Sequence, residues 1–263
     1  MPKFNVSYLV ISQNKRKLLR QLELKKRRDA EGLFIAEGRK TVGDLLRGGL
    51  ECVFLAGFEA RLRELGPLAE RTEVAVAEAD EMADVSQLST RAELIGIFRK
   101  PQAETPAPDG RSLILALDEV QDPGNLGTII RTADWFGVRS VICSSRCADA
   151  FGPKAVQATM GALCRVAVSY TDLRLWLQGN AEGAAAPVFG TYLEGEDIYS
   201  DNLPGGGVVL MGNEGHGIDG GLAQFVTRKL FIPSYPAGQA TSESLNVSTA
   251  TAVVLSEFRR RVH

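Results

Sequence analysis

Ser244, Leu245 and Asn246 stand together in SESLNVSTATAVVL (242–255), where crowded polar side chains give way at once to an apolar run. Such residues can cap a helix, and they can equally form one wall of a site. Two other loops share this double character. In LDEVQDPGNLGTIIRTA (117–133), Pro123–Gly124 makes a turn and Asn125 is placed to cap the helix that follows. Arg131 comes six residues later, nearly two turns on, and reads as lying on roughly the same face. In VVLMGNEGHGID (208–219), Gly212, Gly215 and Gly217 allow close backbone approach around Glu214. Amide, hydroxyl and guanidinium groups of this kind are good hydrogen-bonding partners, although a cap plus a surface arginine would explain Asn125 and Arg131 equally. The chain has only two histidines, His216 and His263, so most histidine-based acid–base schemes and most metal centres are excluded, and no metal site is expected. The glycines G-x-x-G-x-G are not a dinucleotide fingerprint, and no G-K-[ST] follows them.

These loops need elements to hold them. The apolar run SLILALDEV (112–120) has the character of a buried parallel strand. After it the pattern alternates: helix 125–138, strand 140–144, helix 153–162, strand 165–169, helix 171–179, strands 187–193 and 207–212, helix 218–224, strand 229–233. A last helix runs from about Ser244 to Arg260, with Val247, Ala250, Val254 and Phe258 on one face. In open α/β sheets of this kind, ligands bind beyond the C-terminal strand ends, where all three polar loops fall. Upstream, a helix over 13–29 carries Leu18, Leu19, Leu22 and Leu24. Strands at 33–38, 52–57, 73–78 and 92–98 alternate with helices at 40–49, 59–71 and 78–90, a second and smaller α/β layer. RKPQAETPAPDGRS (99–112), with three prolines, reads as a linker. The expected organisation is a small α/β domain over 1–100, a linker over 101–111 and the main domain over 112–263.

The net charge of −2 does not by itself suggest a nucleic-acid partner, but its distribution does. From Lys15 to Lys40 there are ten Lys or Arg against four acids. Clustered cations attract phosphate backbones through charge and counterion release. Lys25, Lys26, Arg27 and Arg28 form the densest group and are the candidate nucleic-acid contacts. The alternative for this run is a solvated helix face. Four cysteines, with only Cys143 and Cys147 close in sequence, read as reduced, mostly buried thiols. No window has the roughly 20 apolar residues of a membrane span, so a cytoplasmic protein is expected.

NLGTIIRTA, LMGNEGHGI and IPSYPAGQATSESLNVSTA, in this order and spacing, resemble the three signature motifs of the SpoU/TrmH family of RNA ribose 2′-O-methyltransferases. The resemblance spans 112–263. The segment GLFIAEGRKTVGDLL resembles, less specifically, the ribosomal-protein-like substrate-binding domain that many members carry. It implies an α/β fold with a mostly parallel sheet closed by a trefoil knot, preceded by a small α/β domain. It also implies methyl transfer from S-adenosylmethionine to a ribose 2′-hydroxyl of rRNA or tRNA, and a homodimer formed by the C-terminal domain, whose last helix is expected to expose an apolar face. Carried over residue by residue, Asn125, Arg131, Glu214, Ser244 and Asn246 are the catalytic set. Thr191, Gly212, Ile232 and Leu245 are the cofactor contacts. Two other readings compete: an RNA-binding protein that kept the fold without the activity, and an NAD-binding enzyme. The first would be expected to have lost Asn125, Arg131 or Asn246, and the second requires a glycine fingerprint after the first strand, where DEVQDPGN stands.

Overall fold

The computed structural model describes residues 10–70, 72–88, 92–183, 186–200, 203–236, 239 and 242–260. His263 and the last residues of the helix expected over 78–90 lie outside them. The chain divides into two compact units, Met1–Gln102 with Asp149–Cys164, and Ala103–Ala148 with Arg165–His263.

In the first unit, helices α1 (Gln13–Gln21) and α2 (Lys25–Glu31) precede strand β1 (Leu33–Glu37) and helix α3 (Arg39–Arg47). Strand β2 (Cys52–Gly57), helix α4 (Glu59–Leu65), strand β3 (Glu73–Val76), helix α5 (Ala79–Val85) and strand β4 (Leu94–Arg99) follow. The sheet order is β1-β4-β2-β3. β4 pairs antiparallel with both neighbours, while β2 and β3 are parallel. Leu19, Leu22, Ile35, Phe54, Met82 and Ile97 fill one core against this sheet.

The single helix expected over 13–29 is two. Leu24 takes an extended backbone (φ −87°, ψ 126°) that ends α1 and starts α2. The break lets Leu22 bury completely while Leu24 stays 62% exposed. It also frees the carbonyls of Leu22 and Glu23, which accept from Nη1 of Arg28 at 2.8 and 2.6 Å. Nε and Nη2 of the same guanidinium donate to Asp149 Oδ2 at 3.0 and 2.7 Å. Arg28 is only 4% exposed. Its inclusion among the RNA contacts is therefore corrected: every face of its guanidinium is turned inward. Helix α7 (Pro153–Thr159) follows Asp149 in this unit, and Phe151 packs on Phe34 with ring centres 5.2 Å apart.

The second unit holds one seven-stranded sheet. Its strands are β5 (Leu113–Leu117), β6 (Ser140–Ser144), β7 (Ala167–Thr171), β8 (Val188–Tyr192), β9 (Glu196–Asp197), β10 (Gly207–Met211) and β11 (Arg228–Phe231). Their order is β7-β6-β5-β10-β8-β11-β9, and every pairing is parallel. Helices α6 (Pro123–Trp135), α8 (Leu173–Glu182), α9 (Gly220–Ala223) and α10 (Val247–Arg260) complete the unit. Strands β5 and β10 are buried at every position, as their unbroken apolar sequences require. β9, two residues at the sheet edge, is too short to leave a pattern in the sequence.

α10 begins at Val247 and packs along α6. Val247, Val254 and Phe258 are all buried, and Phe258 meets Phe189 of β8 edge-on at 5.0 Å. Ala250 of the expected face is only half-buried, as are Ala252 and Val253 beside it, so the chain covers the apolar surface of this helix in part.

Candidate active site

The three polar loops leave the C-terminal ends of strands that are close neighbours. β8, β10 and β11, which lead into Thr191, Gly212 and Ile232, are adjacent in the sheet, and β5, which leads into α6, flanks β10.

α6 starts two residues earlier than expected. Pro123 occupies its first turn, where its fixed φ and missing N–H cost nothing. The cap is Asp122, whose carboxylate accepts from Asn125 N at 2.7 Å. Asn125 is therefore not the cap, and its side chain is free for other work. Its Nδ2 donates to Glu214 Oε1 at 3.0 Å, and its Oδ1 accepts from Asn246 Nδ2, also at 3.0 Å. Asn246 in turn caps α10: its Oδ1 accepts from Ser248 N at 2.9 Å and Thr249 N at 3.4 Å. Asn246 is thus both the start of a helix and a partner of Asn125 across the unit. Three residues, 89 and 121 positions from Asn125 in one case each, meet in one chain of hydrogen bonds.

The loop carrying Glu214 is a closed hairpin. Asn213 and Gly217 exchange both backbone hydrogen bonds at 3.0 Å, and Gly217 has φ +75°. Gly212 is forced by space, since a Cβ there would lie 2.3 Å from the Gly217 carbonyl carbon. Asn213 pins the loop from inside, accepting from Gly215 N at 2.8 Å and donating to the Glu119 carbonyl at 2.8 Å. Neither Asn213 nor Glu119 was singled out in the sequence; Asn213 lay beside Glu214 inside the quoted motif. Behind the loop, burial pushes the Asp118 carboxyl up, against the opposing hydrogen bond from Asp219 N.

Two members of the set stand apart. Ser244 is exposed and makes no hydrogen bond among the described residues. Arg131 is exposed, and it too has no hydrogen bond or ion pair among the described residues. Six helical residues turn through about 600°, so Arg131 lies roughly 120° around α6 from Asn125 and about 9 Å along it. The reading that put both on one face is corrected.

The residues meant for the cofactor suit a nucleoside. Leu245 is an apolar side chain left 47% exposed among polar neighbours, and Ile232 is half-buried. Thr191 Oγ1 contacts Met211 Sδ at 3.7 Å. The hydroxyl of Tyr192, next to Thr191, is buried without a partner in the described structure. An exposed apolar side chain such as Leu245 among polar neighbours suits the burial of a nucleoside.

On the cation-rich side, Lys25, Lys26 and Arg27 are exposed on α2. Lys25 pairs with Asp29 at 2.9 Å, and Lys15, Arg16, Arg20 and Arg39 also have carboxylate partners. Among the described residues of this run, Lys17, Lys26, Arg27 and Lys40 have none.

The profile of the SpoU rRNA Methylase family matches residues 112–256, and that of the MRM3-like substrate binding domain matches 13–96. The chain is 30% identical to the 23S rRNA (guanosine(2553)-2′-O)-methyltransferase RlmP of Bacillus subtilis over 91% of this chain and 94% of that protein. A solved structure assigned to the TrmH family of RNA methyltransferases, from Porphyromonas gingivalis, superimposes with a TM-score of 0.85 at 38% identity, covering 96% of this chain and all of that one. The AdoMet-bound rRNA methyltransferase of Sinorhizobium meliloti does so with a TM-score of 0.83 at 30% identity, over 97% and 98% of the two chains. Fold and site together define an S-adenosylmethionine-dependent RNA methyltransferase. The chain belongs to the SpoU rRNA methylase family.

Proposed function

We propose that Asn125, Arg131, Glu214, Ser244 and Asn246 carry the family's reaction, methylation of a ribose 2′-hydroxyl of rRNA or tRNA, and that Thr191, Gly212, Ile232 and Leu245 hold S-adenosylmethionine. The observation that carries this reading is the Glu214–Asn125–Asn246 chain of hydrogen bonds. An ionised carboxylate only accepts, so Asn125 must turn its amide nitrogen to Glu214 and its oxygen to Asn246. Each amide keeps one N–H for a substrate oxygen. Asn125 and Asn246 also sit at the start of α6 and α10, whose N-termini carry partial positive charge where an alkoxide would develop. S-adenosylmethionine supplies the electrophilic methyl group when bound. Arg131 grips the phosphate beside the target ribose, and loss of the hydroxyl proton is coupled to that phosphate, because a guanidinium is too weakly acidic to serve as the base. Ser244 borders the same pocket.

The trefoil knot belongs to this proposal; a strand order in which late β10 lies between β5 and β8 supports it. The first unit supplies RNA affinity through Lys26 and Arg27, with Lys25 held back by Asp29. No described helix is long and apolar enough to cross a membrane, and a cytoplasmic enzyme acting on rRNA or tRNA fits that observation. Calorimetry separates the reading from its rivals: S-adenosylmethionine binds and NAD does not. Lys26→Glu with Arg27→Glu weakens RNA binding and flattens its salt dependence, with cofactor heats unchanged. NAD binding, or RNA affinity indifferent to the double variant, contradicts it.

A homodimer formed by the C-terminal domain belongs to the same proposal, since Ala250, Ala252 and Val253 leave α10 partly open. Trp135, at the end of α6, is 84% exposed, more than any other large apolar residue described. Light scattering is expected to give twice the chain mass, and Trp135→Glu to halve it; a monomer at micromolar concentration contradicts the assignment.

A further inference from the structure

Glu119 occupies a position that a glycine would fill more easily. Its φ is +53°, in the left-handed region that side chains other than Gly, Asn and Asp avoid. It is nevertheless 8% exposed, a buried carboxylate just past the end of strand β5. Its backbone is tied on both sides. The N–H donates to Ser144 Oγ at 2.9 Å at the end of β6, and the carbonyl accepts from Asn213 at 2.8 Å in the loop after β10. The strained backbone therefore aims the side chain with little freedom.

The carboxylate faces two groups. Oε1 lies 2.8 Å from Nη1 of Arg146, in the loop after β6. Oε2 is buried, has no hydrogen-bond partner in the described structure, and lies 3.7 Å from Nε2 of His216. Arg146 is 70% exposed and His216 is 56% exposed. A buried carboxylate is costly unless paired, and here the pairing is incomplete. Ordinary packing at this point would favour glycine or asparagine. What the carboxylate does accomplish is to hold an arginine by one nitrogen, leaving the remaining N–H groups of its fork in solvent. It also leaves an acceptor waiting for the imidazole.

We propose that Glu119 plants Arg146, with His216 beside it, as a clamp for an RNA phosphodiester at the rim of the active site. The clamp is separate from Arg131, and it rests on the reading of the protein as an RNA methyltransferase. The guanidinium fork matches phosphate geometry. The His216 imidazole, 3.7 Å from Oε2, closes on that oxygen when the phosphate is seated and completes the carboxylate's hydrogen bonding. His216 lies two residues from Glu214 in the same hairpin, so a seated phosphate also steadies the Glu214–Asn125 contact. Glu119 is a positioning residue, acting through Arg146 and His216.

The test uses full-length protein and a short fluorescein-labelled RNA of mixed sequence, with anisotropy read at several salt concentrations. Arg146→Ala is expected to weaken binding about tenfold and to reduce the slope of log affinity against log salt by about 0.7–0.9, the share of one phosphate contact. Glu119→Gln keeps shape but removes the anchoring charge; it should weaken binding by a smaller factor while S-adenosylmethionine affinity, measured by calorimetry, holds. Arg146→Lys should recover only part of the loss, since lysine lacks the fork. A salt slope unchanged in Arg146→Ala overturns the proposal. So does a Glu119→Gln protein that loses cofactor affinity and RNA affinity together, which would mark a purely structural carboxylate. Because binding is read without turnover, a protein that binds RNA through this clamp but methylates nothing would contradict the enzymatic reading and leave the clamp standing.

Discussion

Arg131→Ala is expected to lose at least two to three orders of magnitude in single-turnover methyl transfer while S-adenosylmethionine binds almost as before. Removing one oriented donor from an oxyanion typically costs about 10²–10³ in rate, and here the same side chain is assigned the phosphate that receives the proton. The cofactor candidates sit at the end of β8, on the loops after β10 and β11 and on the stretch before α10, whereas Arg131 projects from the middle of α6. Cofactor affinity should therefore be nearly untouched. Arg131→Lys should be almost as poor, because the ammonium keeps the charge but cannot bridge a phosphate and a ribose oxygen in one plane. Asn246→Ala provides the contrast. Its amide both holds Asn125 and caps α10, so rate, cofactor affinity and thermal stability should all fall, stability by about 1 kcal/mol for the cap. If Arg131→Ala retains more than roughly a tenth of the rate, less than a single-donor loss, the arginine does not stand at the reacting ribose.

Arg28→Ala should have the largest effect on stability of any change in the basic run. It strands Asp149, whose side chain is 11% exposed, and leaves the carbonyls of Leu22 and Glu23 without their donor. Breaking a buried pair by removing one partner costs about 3–5 kcal/mol. For a chain of this size that corresponds to a fall of roughly 6–20 °C in melting temperature. Lys26→Ala, about half a turn away on the exposed side of the same helix, should stay near wild type. Replacing both partners, Arg28→Met with Asp149→Leu, should recover much of the loss, because no buried charge is then left alone. A melting temperature for Arg28→Ala within a degree or two of wild type, well inside that range, would refute the buried pair as a structural tie.

The same arginine marks the limit of what the sequence discloses. KKRR reads as four like cations, and nothing local tells Arg28 that its partner is 121 residues away. The apolar runs were different. CVFLAG and SVICS were legible as strands to the residue, because each needs only its own composition and its flanking turns. Their order in the sheet was not legible, since β10 inserts beside β5 through contacts that no window contains. The start of α6 was legible and misread: Asp-Pro is itself a cap followed by a first-turn proline, and taking Asn125 as the cap hid the reason its side chain can reach Glu214. The placement of Arg131 failed on arithmetic, as six residues are not two turns. At the site, the motifs gave the residue types, but the link between Asn125, Glu214 and Asn246 is a tertiary fact. Glu119 left no signal beyond an acid after a strand, because a left-handed backbone is not written in residue type when the residue is not glycine.

The most direct test of the central claim is mass spectrometry of the nucleosides released from rRNA and tRNA after incubation with the protein and methyl-labelled S-adenosylmethionine. The account predicts label on a ribose 2′-oxygen at one site, absent when Asn125→Ala protein is used. Label on a base, or ribose label undiminished in Asn125→Ala, would contradict it.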